Sequence, residues 1–302
     1  MYSPRLRLYL PNLIITIITV FVIMASILIN FAAEFFLNKE TYSNVITEQS
    51  VDKIVYEEIN QYFDRQSDYT GIDSNVFKSV IKSSDISSTI ISYTDATIDY
   101  MNNVTNKKPT IVYDYTAIET ALNNDYARWA KENNKIIDEN AKKNIDYTLS
   151  HIKDTLDAKF DVMMFTYVNN FGISDFVHNH YDMLKIARII LTSFAAVLIL
   201  ILFLINRKHI NCGFYWVGCS SLISGIIFCI PAIYLKASRY FDGLILKNDA
   251  IYKSLTELMY SFVNKVLIFG IILLVAGAIL FLIDFLMCKI SQREDNRPVY
   301  MD

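Results

Sequence analysis

Four stretches of the chain are apolar almost without interruption: Leu13–Ala33, Ile189–Ile205, Phe214–Leu235 and Val266–Met287. A membrane-spanning helix needs roughly 17–25 predominantly apolar residues, and each stretch meets that length. A helix packed on a soluble core would carry a polar face at the 3.6-residue period, and these four are read as lacking one. The pattern predicts an all-α membrane protein with four transmembrane helices and a large helical extramembrane domain between the first and second spans.

The expected organisation places an N-terminal tail at 1–12 and spans at 13–33, 183–206, 214–235 and 266–288. An acidic helical domain fills 34–182, and a short loop 207–213. An outer loop at 236–265 includes a helical extension of the fourth span, and a C-terminal tail runs over 289–302.

Within 34–182 the apolar positions recur at helical spacing. Val51, Val55, Ile59 and Tyr62 form one face, and no Pro or Gly interrupts the run from Asn12 to Thr70, which predicts one unbroken helix. Gly71 stops it. Asp73 is a natural N-cap for the next helix, with Ile72 placed to staple against Phe77. A Ser- and Thr-rich helix is expected over 85–102. The Pro109 segment after it reads as a loop, with a short strand at Ile111–Tyr113. Ile145, Leu149, Ile152, Leu156, Phe160, Met163, Tyr167 and Phe171 then predict one long helix ended by Gly172, with Ser174 capping its successor. Ile251, Leu255, Leu258 and Phe262 predict that the fourth span's helix starts near Asn248.

Composition fits this division. Hydrophobic residues make up 53% of the 302 and charged residues only 20%, concentrated outside the four stretches. Asn38–Asp182 holds 14 Lys and Arg against 23 Asp and Glu, a net charge of −9. Such a surface is solvated, or attracts cations or a basic partner. With no basic stripe to neutralise phosphates, a nucleic-acid role is not expected. All four cysteines, Cys212, Cys219, Cys229 and Cys288, lie in or beside the last two spans, so no disulfide framework supports the acidic domain. The abundance of Ile, Asn, Lys, Tyr and Phe fits an AT-rich bacterial genome.

The first stretch follows Arg5 and Arg7, as a signal peptide would. Its apolar core exceeds the roughly 7–15 residues of a cleaved signal, and bulky Phe31 sits badly for cleavage after Ala33, so an uncleaved anchor is expected. Arg5, Arg7, Arg207, Lys208, Lys289, Arg293 and Arg297 crowd three very short segments. Lys39, Lys185, Arg188, Lys236, Arg239, Lys247, Lys253 and Lys265 are spread over longer flanks on the other side. Charge density therefore predicts both termini in the cytoplasm and the acidic domain outside.

Few residues suggest chemistry. In "DFVHNHYD", Asp175, His178 and Asp182 fall at i, i+3 and i+7 on one helical face, while His180 points elsewhere. A histidine and two carboxylates are ligands for a divalent metal such as zinc, given a further ligand from another segment. The simpler reading is a polar and amphipathic collar where the helix enters the headgroup region, with Tyr181, Lys185 and Arg188, and it is preferred. Asp284 is the one carboxylate inside an apolar stretch and is a candidate proton or ion ligand. Its alternative is a place near headgroup depth, paired with Arg207 or Lys208. Gly218, Ser221 and Gly225 put small residues on one face of the third span, which reads as helix packing rather than a permeation path. Pro231 lies near the outer end of that span.

Gly-rich phosphate loops, nucleophile elbows, H-E-x-x-H and C-x-x-C are all absent from the sequence, so no cofactor and no catalytic residue is expected. The layout of span, helical domain and span over residues 1–208 resembles the sensor half of bacterial chemoreceptors and sensor kinases. The chain departs from that pattern after Lys208, where a short loop and two further spans follow. The expected function is a non-enzymatic interaction, sensory or accessory subunit of the cell envelope, with a transporter or channel component as the alternative. Its expected partners are membrane lipids and a membrane or envelope protein.

Overall fold

The structure, a computed structural model, describes residues 9–246 and 248–295. Arg5, Arg7, Lys247 and Arg297, which entered the orientation argument, lie outside the described residues. Every regular element among those described is helical. Four helices are long and apolar enough to cross a membrane: Tyr9–Phe36, Ile173–Ile205, Ile210–Ala237 and Asp249–Ile290. The chain divides into two compact units, one holding Leu37–Tyr181 with Leu244–Leu258, the other the remainder.

The first, polar unit begins with α2 (Lys39–Glu48) and α3 (Val51–Thr70), following α1 (Tyr9–Phe36). The unbroken helix expected from Asn12 to Thr70 is therefore cut twice. Asn38 leaves the helical conformation and its side chain accepts the Glu40 amide at 3.0 Å, capping α2. Ser50 takes a left-handed conformation, φ 51°, between α2 and α3. Neither break needs Pro or Gly: at Asn38 the side chain offers the backbone an alternative to the helical ladder, whereas Ser50 turns by its left-handed backbone with no side-chain cap. The face Val51, Val55, Ile59 and Tyr62 is buried, as its spacing requires.

Asp73 caps α4 (Ser74–Lys78) by accepting the Asn75 amide at 2.9 Å, and Ile72 and Phe77 are both buried. Next comes α5 (Ser83–Met101), whose hydroxyls largely bond back to its own carbonyls, Thr89 to Asp85 and Thr97 to Tyr93. The segment from 105 to 115 is irregular, with no strand at Ile111–Tyr113. A helix not anticipated from the pattern follows, α6 (Thr116–Glu132), started by Asp114 accepting the Thr116 amide at 3.0 Å. Its buried residues are Ile118, Leu122 and Ala130, too sparse a stripe to stand out among the Asn, Asp and Glu around them.

The long helix expected over 145–171 ends early. α7 spans Glu139–Phe160, and Asp161 then turns the chain. The buried Asp161 carboxylate accepts the Phe165 and Thr166 amides, each at 2.7 Å, and so founds α8 (Phe165–Asn170). Met164 beside it is left-handed at φ 56°. The stripe from Ile145 to Met163 is buried, whereas Tyr167 and Phe171 beyond the break are exposed. α9 (Ile173–Ile205) starts one residue after Gly172, itself at φ 70°, so Ser174 lies inside that helix and does not cap it.

A charged contact fastens three elements of this unit. Glu58 on α3 receives Lys159 of α7 at 2.9 Å on one oxygen and the Ala250 amide at 3.1 Å on the other. Ala250 opens the long helix α11 (Asp249–Asp295), so the carboxylate also meets the positive end of a helix. Asn248 accepts the Ile251 amide at 2.9 Å. The buried face of this first part of α11 is Ala250, Ser254 and Leu258, one step round from the predicted Ile251 and Leu255. Small residues win that face because they allow closer approach.

The second unit combines α1, α9 from Asp182, α10 (Ile210–Ala237) and α11 from Met259, with a 3-10 turn at Tyr240–Gly243. Leu202, Trp216 and Val217 form a buried cluster joined by Leu13, Ile15, Phe203 and Leu280, so all four helices meet there. Tyr9 packs edge-on to Trp216, and Phe31 and Phe35 pack on Phe262. Pro231 lies within α10, which continues past it. The outer faces of these helices are apolar and exposed, Ile189, Leu200 and Leu204 on α9 and Ile272, Val275 and Ile279 on α11 among them.

Candidate functional site

At the start of α9 the 175–182 motif meets the end of α5. The Asp175 carboxylate accepts the Tyr100 hydroxyl at 2.6 Å and Lys108 at 2.8 Å. These two contacts, that of Lys108 foremost, hold its carboxyl below the usual carboxylate range. The same contacts push the Lys108 ammonium and the Tyr100 phenol up. His178 stacks flat on the Tyr100 ring, centroids 4.3 Å apart, and its Nδ1 lies 2.7 Å from the Tyr100 carbonyl oxygen. A carbonyl only accepts, so Nδ1 carries the proton and a neutral His178 has its lone pair on Nε2. His180 turns back to the Phe176 carbonyl, 2.8 Å away, and stacks on that ring. Asp182 is exposed and stands 4.0 Å from Lys185. Asp175 and His178 thus share Tyr100 while Asp182 does not join them. Among the described residues no three His, Cys, Asp or Glu side chains converge as a metal ligand set.

Two other carboxylates in this unit are tuned by burial. Desolvation raises Asp157, which accepts the Tyr115 hydroxyl, and Asp95 is raised by the same cause. An open groove of about 780 Å³ lies between α4 and α6, floored by Val76, Val80, Ala117 and Ala121, with Asp114, Asp125 and Arg128 along it.

In the apolar unit, Gly218, Ser221 and Gly225 lie against α11. A methyl group added at Gly225 would stand 2.9 Å from the Gly270 carbonyl oxygen, and one at Gly277 2.6 Å from Leu222. At Gly218 the nearest atoms would be 3.4 Å away, an ordinary contact. Ser221 donates across the interface to the Leu273 carbonyl at 2.8 Å. Asp284 is buried on α11 and accepts the Cys288 thiol at 3.6 Å, while Cys288 receives the Asn211 amide of α10 at 3.1 Å.

The sequence reading missed the most extensive polar contact in this unit. Asn12, Thr16, Thr19, Ser26, Asn30 and Glu34 recur at three-, four- and seven-residue intervals, so α1 does carry a polar stripe. Asn12, wholly buried, exchanges two amide hydrogen bonds with Asn206, at 3.0 and 3.2 Å. Toward the other end Ser26 meets Thr192 at 3.0 Å, Asn30 meets Thr192 at 3.1 Å, and Arg188 reaches both Asn30 and Glu34. The signal is present as spacing, but the high apolar average of the stretch masks it.

Comparison with family models, with curated proteins and with solved structures finds no match to the chain. The reading of its function therefore rests on its own geometry.

Proposed function

We propose that the protein is a multi-pass membrane protein that presents the polar helical unit outside the cell, both termini being cytoplasmic. Its role is that of a non-enzymatic interaction, sensory or accessory subunit of the cell envelope. One observation carries this reading: several polar side chains inside the four apolar helices join one helix to another, and others bond back to their own helix. Asn12 pairs with Asn206, Ser26 with Thr192 and Ser221 with Leu273, while Thr19, Ser220 and Ser224 bond back to their own helices. A scaffold built this way supports the acidic unit as the part that meets partners.

Orientation is tested with Asn103→Cys, at an exposed position after α5, in a chain whose native cysteines are replaced. Membrane-impermeant maleimide should label it in intact cells. Protection until lysis would place the acidic unit in the cytoplasm and end the envelope reading.

A second reading, a transporter or channel component, draws on Asp284, a carboxylate buried within a span beside a thiol. Ion flux in liposomes that disappears with Asp284→Asn would favour it. Flux that persists in the variant would remove Asp284 from any mechanism.

A further inference from the structure

The hairpin joining α6 to α7 combines features that the interaction reading leaves unused. Its turn is firmly built. The Asn133 amide returns to the Trp129 carbonyl at 3.0 Å, and Lys135 returns to Ala130 at 2.8 Å across a left-handed Asn134 (φ 51°). This double closure satisfies the last carbonyls of α6. On the far side, Asp138 caps α7 by accepting the Ala141 amide at 2.8 Å. Between two fixed helix ends the turn presents Ile136 at 90% exposure, and Trp129 in the last turn of α6 is 53% exposed. An isoleucine held in water by a closed turn, with a half-exposed tryptophan beside the same turn, is not explained by packing within the unit.

The charge around this tip departs from that of its unit. Residues 128–143 carry Arg128, Lys131, Lys135, Lys142 and Lys143 against Glu132, Asp138 and Glu139. Five of the 14 basic residues between Asn38 and Asp182 fall in this short stretch, within a segment whose net charge is −9. All five basic side chains are exposed; Arg128 is paired with Asp125 and Asp138 is engaged in capping, which leaves the four lysines. Trp sits at the boundary between hydrocarbon and water, and Lys and Arg lay their aliphatic stems on apolar surface while their charged ends meet phosphate. An exposed apolar tip flanked along the chain by such cations fits an anionic lipid surface. An acidic protein patch would match the lysines but has no use for a lone protruding Ile.

We propose that the α6–α7 hairpin docks on an anionic phospholipid surface, Ile136 and Trp129 entering the headgroup boundary and Lys131, Lys135, Lys142 and Lys143 meeting phosphates. This deepens the interaction reading by naming lipid as what this surface of the acidic unit meets. It stands or falls separately from orientation, which the maleimide experiment reads.

The test uses the full chain in nanodiscs and lipids with brominated acyl chains, which quench nearby tryptophan. Brominated phosphatidylglycerol is placed either in the disc or in added vesicles, with brominated phosphatidylcholine as the uncharged control. The signal is the difference between the parent and Trp129→Phe, which removes the contribution of Trp216. The expected result is at least a twofold Trp129-dependent quench with phosphatidylglycerol in one of the two placements, which also identifies the bilayer engaged. It should be lost in 0.5 M salt, and with Ile136→Asp or the pair Lys142→Glu and Lys143→Glu, all exposed positions. No Trp129-dependent quench in either placement overturns the proposal, as does a quench of equal size with phosphatidylcholine.

Discussion

The two units of this chain solve the same problem in opposite ways. In the polar unit a core of Ile, Leu, Val and Phe is buried and most charged side chains lie outside it, so burial of apolar area holds the helices together. In the apolar unit many large aliphatic side chains of α9 and α11 are on the outside, while Asn12, Thr19, Ser220, Ser224 and Asp284 are buried. Helices surrounded by hydrocarbon gain nothing by hiding leucine, and are joined by close backbone approach and hydrogen bonds. One residue type therefore has different worth in the two units.

The sharpest way to break that comparison is truncation of leucine. Leu156→Ala, fully buried in α7, should cost about 2–5 kcal/mol through lost transfer energy and the cavity left behind. Leu200→Ala, 60% exposed on α9, should leave stability in a lipid environment nearly unchanged. Thermal unfolding in lipid nanodiscs checks both, and equal losses would show that the two units share one packing logic. Next in size is the ion pair of the polar unit. Lys159 and Glu58 are only 15% and 13% exposed, so Lys159→Met leaves a largely buried carboxylate and should cost about 3 kcal/mol. The double variant with Glu58→Leu should recover much of that loss.

Glycine contacts offer a test within the apolar unit itself. Gly225→Ala drives a methyl group onto a backbone carbonyl that cannot swing away and should cost about 1–3 kcal/mol in detergent-titrated unfolding. Gly218→Ala, with its nearest neighbours at 3.4 Å, should be tolerated. A smaller effect is expected at Asn12 and Asn206. A double-mutant cycle with alanine should give a coupling of about 0.6–1.7 kcal/mol, between the average and the largest values for hydrogen bonds between membrane helices. A coupling near zero would mean that close packing alone joins α1 to α9.

The smallest effect belongs to Asp175. Its folded carboxyl is held below the usual range, so the contribution of its contacts is complete above the unfolded value of about 3.9 and is lost as pH falls through the lower folded value. Asp175→Asn should therefore flatten the fall in stability on acidification below about pH 4, most visibly at low salt. An unchanged acid profile would show that Lys108 and Tyr100 add nothing there.

Legibility differed between these regions for a physical reason. The face Val51, Val55, Ile59 and Tyr62 could be read because a helix in water must separate apolar from polar residues with its own period. The breaks at Asn38, Ser50 and Asp161 could not, because Asn, Ser and Asp continue a helix or cap one depending on where the chain must turn. α6 escaped notice because its few apolar contacts are scattered among polar residues. Of the candidate residues, Gly218, Ser221 and Gly225 declared a face by spacing, but the partners Gly270, Gly277 and Leu273 come from another helix. Tyr100 and Lys108, which engage Asp175, are some 70 residues away in the chain, with no local pattern to link them.

Helicity and the four helices long and apolar enough to cross a membrane follow from local periodicity and from the length of apolar runs, and both are written in the order of residues alone. Tertiary structure alone decided which polar groups meet: Asn12 with Asn206, Glu58 with Lys159 and the first turn of α11, His178 on Tyr100. Hydrogen bonds and ion pairs act over about 3 Å in space and are indifferent to separation along the chain. Only the folded arrangement brings such groups within reach.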